Sequence, residues 1–184
     1  SINDNVLFFW SGHGTQQGWK WKEIENLNAD FARPMFSAMK FRKMFAIIET
    51  CYSGGVAQDC TGIPGLLMMT AANPYETSKA DAFDNELQVY LSNTYTSSIL
   101  SQLESNPQTV IRDLYLHAFD KTNGSHVMVY NSDYYGNLYL NDMGEYYPKF
   151  VDNELSIFYI CQWTRINNAQ KLKIKRKIRH ISIV

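Results

Sequence analysis

A histidine and a cysteine stand where two apolar runs break into turns, and together they have the makings of a thiol nucleophile with its base. Val6-Leu7-Phe8-Phe9-Trp10 runs into Ser11-Gly12-His13-Gly14, and Met44-Phe45-Ala46-Ile47-Ile48 runs into Glu49-Thr50-Cys51-Tyr52-Ser53-Gly54-Gly55. A free thiol is mostly protonated at neutral pH; a neighbouring imidazole raises the thiolate fraction and can later protonate a leaving amine. Gly14 and Gly54-Gly55 would let the backbone approach a substrate closely, and the Gly14 and Cys51 amides could bind the oxyanion of a tetrahedral intermediate. The histidine lies 38 residues upstream of the cysteine, so only the fold can bring them together. Either residue alone would more often be a buried cysteine or a structural histidine. The argument rests on the joint pattern.

The elements that must position these residues are read from periodicity. Apolar strands are expected at about 6–10, 44–49 and 65–71, with the chemistry at their carboxyl ends, as in open α/β sheets. Phe31, Met35, Ala38, Met39 and Arg42 recur at helical spacing, which predicts a crossover helix over 30–42 and a right-handed connection between parallel neighbours. A second helix is expected over 93–105, with Tyr95, Ile99, Leu100 and Leu103 inward. Asn106-Pro107 reads as an N-cap with Pro at the first helical position, opening a third helix to about Ala118 on Val110, Ile111, Leu114 and Tyr115. Ser125 to Tyr130 reads as a further core strand.

Composition bounds the answer. With 184 residues, 45% of them hydrophobic, the chain can bury a full core and fits one domain better than two. No run reaches the roughly 18 apolar residues of a membrane span, and no basic region followed by an apolar stretch opens the chain. Lys171, Lys173, Lys175, Arg176, Lys177 and Arg179 concentrate positive charge in a tail without acids, so the rest carries seven more acids than bases against an overall −1. Interleaved with Leu172, Ile174, Ile178, Ile181 and Ile183, this tail reads as a solvated edge strand or amphipathic end rather than a nucleic-acid or membrane surface.

Three cysteines without a Cys-x-x-Cys pair or a Cys/His cluster argue against a metal site, and no cofactor is expected. Cys60 and Cys161 are free or paired, and Cys51 stays reduced. His126, at the start of an apolar strand, reads as a structural histidine, while His117 falls on the third helix and His180 in the tail. Ser53 lacks the Gly-x-Ser-x-Gly elbow of a serine hydrolase. Trp10, Trp19 and Trp21 flank the histidine turn as cleft wall or as core.

Four blocks carry a resemblance: Phe8-Phe9-Trp10-Ser11-Gly12-His13-Gly14, Glu49-Thr50-Cys51-Tyr52-Ser53-Gly54, Thr70-Ala71-Ala72-Asn73-Pro74-Tyr75-Glu76-Thr77-Ser78 and Ser125-His126-Val127-Met128-Val129-Tyr130. Their order and content resemble the legumain (asparaginyl endopeptidase) family, which includes the GPI-anchor transamidase catalytic subunit and is more distantly related to caspases. The resemblance implies a caspase-like three-layer α/β/α sandwich with a central, mostly parallel sheet. It makes Cys51 the nucleophile, His13 the general acid/base, and the Gly14 and Cys51 amides the oxyanion hole. Glu49 falls where the family places an acid in the S1 pocket, Ser78 would contact the substrate through its backbone, and Asn93 stands where legumains put a second S1 acid.

Two more features differ from the family pattern. Its S1 arginine and histidine-orienting asparagine lie on a strand upstream of the histidine block and are not in this sequence. Gly12 stands where animal legumains carry an aspartate tied to ligase chemistry, and a Gly-His-Gly turn also occurs in the transamidase branch.

The expected activity is therefore cysteine endopeptidase cleavage after Asn or Asp. The alternatives are transamidation, with an amine replacing water at the thioester, and a catalytically silent binding module. The expected partners are a peptide or protein substrate and an N-terminal fragment of the same precursor, with Ser1 a cleavage-generated terminus; no nucleic acid is expected. Residues 1–150 are expected to form the peptidase domain, lacking the family's first strand, and 151–184 a C-terminal extension with a basic tail. An extracytoplasmic location is implied: lysosome-like or secretory, or periplasmic if the source is bacterial.

Overall fold

A computed structural model describes residues 1–21 and 25–147. The 151–184 extension, with Cys161, His180 and the basic tail, lies outside the described residues.

The first strand, β1 (Asn5–Ser11), is followed by a small antiparallel sheet of β2 (Gly14–Thr15), β3 (Gly18–Trp21) and β4 (Glu25–Leu27). Helix α1 (Ala29–Ala38) leads to β5 (Lys43–Glu49), then α2 (Ser53–Asp59) and β6 (Leu66–Thr70). A hairpin of β7 (Ala80–Asp84) and β8 (Val89–Asn93) precedes α3 (Thr94–Ser105) and α4 (Ile111–Lys121). Strand β9 (Met128–Tyr130), the short α5 (Ser132–Tyr135) and a 3-10 turn at Met143–Tyr146 complete it. The main sheet runs β1-β5-β6-β9, with β1, β5 and β6 parallel and β9 antiparallel to β6.

Strand β5 has no polar alternation because both its faces are covered, as parallel strands under helices require. Phe45 and Ile47 pack with Leu67 and Met69 against Tyr95, Ile99, Ile111 and Leu114 of α3 and α4. Met44, Ala46 and Ile48 pack on the opposite face against Ala32 and Phe36 of α1 and Val56 and Ala57 of α2. Helices thus lie on both faces of a mostly parallel sheet, and the architecture is the expected caspase-like α/β sandwich.

Strands β1, β5 and β6 lie within a residue of their expected bounds. The last core strand is shorter than expected, Met128–Tyr130 rather than 125–130, because Ser125 and His126 bond to the loop after β6 instead.

The helices bring further corrections. Helix α1 begins where the Asn28 side chain accepts the Phe31 N–H and stops at Ala38, where Met39 turns extended. Its buried stripe is Ala32 and Phe36, and Phe31 is 54% exposed. Of the expected stripe Phe31, Met35, Ala38, Met39 and Arg42, Met35 packs against the core, whereas Phe31, Ala38 and Met39 face water, because the sheet selects the neighbouring face of the helix. In α3 Tyr95 and Ile99 are inward as expected, but Leu100 is exposed.

Helix α4 starts at Ile111, not at Pro107. Asn106 ends α3, and the Thr109 N–H closes a turn on the Asn106 carbonyl at 3.1 Å. The first amides of α4 need acceptors. Ile111 donates to the Asn141 carbonyl at 2.9 Å and Arg112 to the Leu138 carbonyl at 3.2 Å, so a distant loop caps this helix.

Candidate active site

The parallel register of β1 and β5 sets Ser11 opposite Glu49, so both strands end at the same edge of the sheet and their following turns meet. Gly12 N–H donates to the Glu49 carbonyl at 3.0 Å, and Lys20 N–H to the His13 carbonyl at 2.8 Å, which anchors the histidine turn between β5 and the small sheet. Gly14 is pressed against Thr50-Cys51: a Cβ built there would run into the Cys51 carbonyl oxygen and lie 2.9 Å from Thr50 Oγ1. The sequence needs glycine at this position because no side chain fits. The fold therefore packs the His13-Gly14 turn on the Cys51 turn, with His13 exposed to solvent and Cys51 half-buried.

Cys51 is a free thiol whose Sγ lies 4.0 Å from the Ser78 carbonyl oxygen and 3.9 Å from Ser78 Oγ. The next residue, Tyr52, sits in the left-handed region at φ 55° and ψ 23°, a conformation that costs a non-glycine residue about 1–3 kcal/mol unless its surroundings impose it. The loop after β6 imposes it. Tyr52 N–H donates to the Glu76 carbonyl at 2.8 Å, and Gly54 N–H to the Ala72 carbonyl at 3.1 Å. Ser53 Oγ donates to the Ala72 carbonyl at 3.2 Å and accepts the Ala72 N–H at 3.1 Å. Ser53 is thus a buried clamp on the cysteine turn.

Glu49 is buried beneath this turn. Its Oε2 accepts the Thr96 N–H at 3.2 Å and the Thr96 hydroxyl at 3.1 Å, while Oε1 is buried without a hydrogen-bond partner among the described residues. Burial pushes its carboxyl up to about 7, against the opposing pull of the Ser78 and Thr96 donors. Asn93 ends β8 as the residue preceding α3, three positions before Thr96, and its side chain makes no capping bond. Cys51, Ser78 and Glu49 are therefore brought together, and Asn93 lies at the head of the helix that holds Glu49.

Thr96 and Glu76 were not singled out from the sequence. Thr96 sits inside a helical pattern and gives no signal there; Glu76 lay within a family block, but its bonding is visible only once the loop is folded.

Trp10 and Trp19 are core, with ring centroids 6.3 Å apart. His126 is solvent-exposed and pairs with Glu76, its Nδ1 being 2.8 Å from Glu76 Oε2. His117 Nε2 meets Ser101 Oγ at 3.1 Å between α3 and α4. Cys60 is free and buried, and burial pushes its thiol up to about 11, so it is unreactive beside Cys51. Among the described residues no group of three or more His, Cys, Asp or Glu could hold a metal ion, and no helix is long and apolar enough to cross a membrane.

Comparison with known proteins matches this frame. The chain is 28% identical to legumain of Mus musculus over 135 residues, which is 70% of this chain and 31% of that protein. It is 27% identical to legumain of Homo sapiens over the same length and shares. Legumain of Pongo abelii is 31% identical over 111 residues, 59% of this chain and 25% of that protein. The chain thus spans between a quarter and a third of the length of these relatives. A model of the Peptidase C13 family matches residues 1–151. Matched over most of its length, the chain belongs to the peptidase C13 family, cysteine peptidases of the legumain kind.

Proposed function

We propose that the chain is a cysteine endopeptidase that cleaves peptide bonds after Asn, and secondarily after Asp, through a Cys51–His13 dyad. The observation that carries this reading is the packing of Gly14 on the Cys51 carbonyl, which holds the histidine turn at the end of β1 against the cysteine turn. His13 removes the proton from Cys51 Sγ, and the thiolate attacks the scissile carbonyl carbon. The resulting oxyanion is held by the Gly14 and Cys51 amides. Collapse forms a thioester and expels the amine, which takes its proton from His13; water then attacks the thioester, with His13 as base, and releases the acid.

Specificity resides in S1. An amide P1 side chain has a donor and an acceptor end. Glu49, whose buried Oε1 has no hydrogen-bond partner among the described residues, accepts from its NH2 group, and Asn93 can serve either end. Ser78 lies beside Sγ and contributes the backbone wall.

Residues 1–150 are the peptidase domain and 151–184 an extension. An upstream segment of the same precursor covers the outer edge of β1, which is an edge strand of the described sheet with Leu7 40% exposed. The protein works in an extracytoplasmic compartment.

The test is turnover of a P1-Asn peptide by the full chain and its variants. Cys51→Ala abolishes turnover, and His13→Ala lowers it severely, because the two act as one unit. Residual activity within about tenfold of wild type in Cys51→Ala removes the dyad. Product analysis with added amine separates a hydrolase from a transamidase.

A further inference from the structure

Besides its Ala72 bonds to Ser53 and Gly54, the loop after β6 reaches the cysteine turn at two later points. The Glu76 carbonyl accepts the Tyr52 N–H at 2.8 Å, and Ser78, two residues on, lies about van der Waals distance from Cys51 Sγ. Ser53 and Ser125 hold the start of this loop, and the Glu76 carboxylate ties down its later part. Its Oε1 accepts the Asn73 N–H at 3.0 Å and the His126 N–H at 2.7 Å, and its Oε2 lies 2.8 Å from His126 Nδ1. One side chain thus ties the loop to itself and to the segment leading into β9.

We propose that Glu76, buttressed by His126, is a positioning residue for the nucleophile: its carboxylate fixes the carbonyl that holds Tyr52 left-handed and the Ser78 wall that Cys51 Sγ faces. This rests on the reading of Cys51 as nucleophile but not on the Asn preference. The titratable groups facing Glu76 are His126 from the segment before β9 and Tyr130 of β9. Burial works to raise the Glu76 carboxyl, but the Asn73 and His126 donors outweigh it and hold it below the usual carboxylate range.

Replacing that anion by its amide separates positioning from bulk structure. In Glu76→Gln the remaining oxygen still accepts the two main-chain N–H groups, but the NH2 group faces His126 Nδ1. A neutral ring accepts this bond, and a protonated ring opposes it, donor against donor. The variant should therefore hold the loop against a neutral ring and release it against a protonated one.

The experiment compares alkylation of Cys51 by iodoacetamide, mapped by mass spectrometry, with labelling by a P1-Asn electrophile in the full chain, from about pH 8 to about pH 5, where imidazoles titrate. The ratio of Glu76→Gln to wild-type rates should be near one at the alkaline end and fall about tenfold or more toward the acid end, with circular dichroism unchanged. Adding His126→Asn, an amide that can present its oxygen and cannot be charged, should flatten the ratio. A ratio constant with pH, or a fall that persists in the double variant, overturns the proposal. Should Glu76→Gln not fold, His126→Ala carries the test: severalfold slower labelling of folded protein supports the buttress, and an unchanged rate removes it. A wild type that ignores the P1-Asn electrophile while iodoacetamide shows the expected split would refute the Asn-cleaving reading and leave this one standing.

Discussion

Gly14 is the residue whose chemistry is least replaceable, because any side chain there collides with the Cys51 carbonyl. Gly14→Ala should separate the histidine turn from the cysteine turn and lower turnover of a P1-Asn peptide by about a hundredfold, the loss that a displacement of about 1 Å can bring. Activity within threefold of wild type, measured on folded protein, would show that the close approach is not needed. Glu49 makes a pH prediction. Its carboxyl is raised by burial to about 7 from an ordinary 4.5, so the folded chain keeps a proton that the unfolded chain has released. Stability should therefore be fully present below about 4.5 and fall as pH rises toward about 7, by an amount on the order of 1–3 kcal/mol. Denaturant midpoints across that range check this, and in Glu49→Gln the slope should vanish. With Glu49 in the proposed S1 pocket, the same titration should act on specificity. A P1 Asp carboxylate meets a neutral Glu49 below about 7 and a charged one above it, so the Asp-to-Asn cleavage ratio should drop as pH rises through that value. Asn93→Asp should lower the ratio further and make Asp cleavage more acid-dependent; an unchanged ratio in that variant removes Asn93 from the pocket.

Helix α1 shows which side chains carry the layers. Phe36 is fully buried against the sheet, whereas Phe31 on the same helix is 54% exposed. Phe36→Ala should cost about 3–5 kcal/mol and Phe31→Ala less than about 0.5 kcal/mol in urea unfolding. Equal losses would mean that the helix packs on another face. This contrast also marks what the sequence could convey. Strands β5 and β6 were legible because burial on both faces leaves uninterrupted apolar runs, and β1 because its run is equally apolar although Leu7 is exposed; the turns after β1 and β5 were legible because glycines, a histidine and a cysteine have few other reasons to cluster there. The face of α1 was not, because Phe31, Ala32, Met35 and Phe36 offer two overlapping stripes and only the sheet chooses between them. The start of α4 was misread at Asn106-Pro107 since its amides are satisfied by carbonyls at 138 and 141, and no local pattern records a partner so distant. The β7–β8 hairpin went unseen because its residues are largely exposed, so no burial pattern marks it. Within the candidate site, the blocks single out Cys51, His13 and Glu49 as candidates, while the Ser53 clamp and the Thr96 bonds to Glu49 exist only through tertiary contact.

At the scale of the whole molecule, β1 leaves an edge of the described sheet without a strand partner, and apolar Leu7 lies on it. Such edges invite pairing with other chains. Residues 1–184 produced alone should be aggregation-prone and weakly active, and supplying the upstream segment of the precursor should raise both soluble yield and rate. A stable monomer cleaving at full rate would show instead that some other segment closes the sheet. All of this depends on one claim, that Cys51 is a nucleophile served by His13. Its most direct test is to treat the full chain with a P1-Asn electrophile, digest it and map the adduct by mass spectrometry. The account predicts a single adduct on Cys51, none on the buried Cys60, and severe slowing in His13→Ala. An adduct on another residue, or Cys51 labelled as fast without His13, would contradict it.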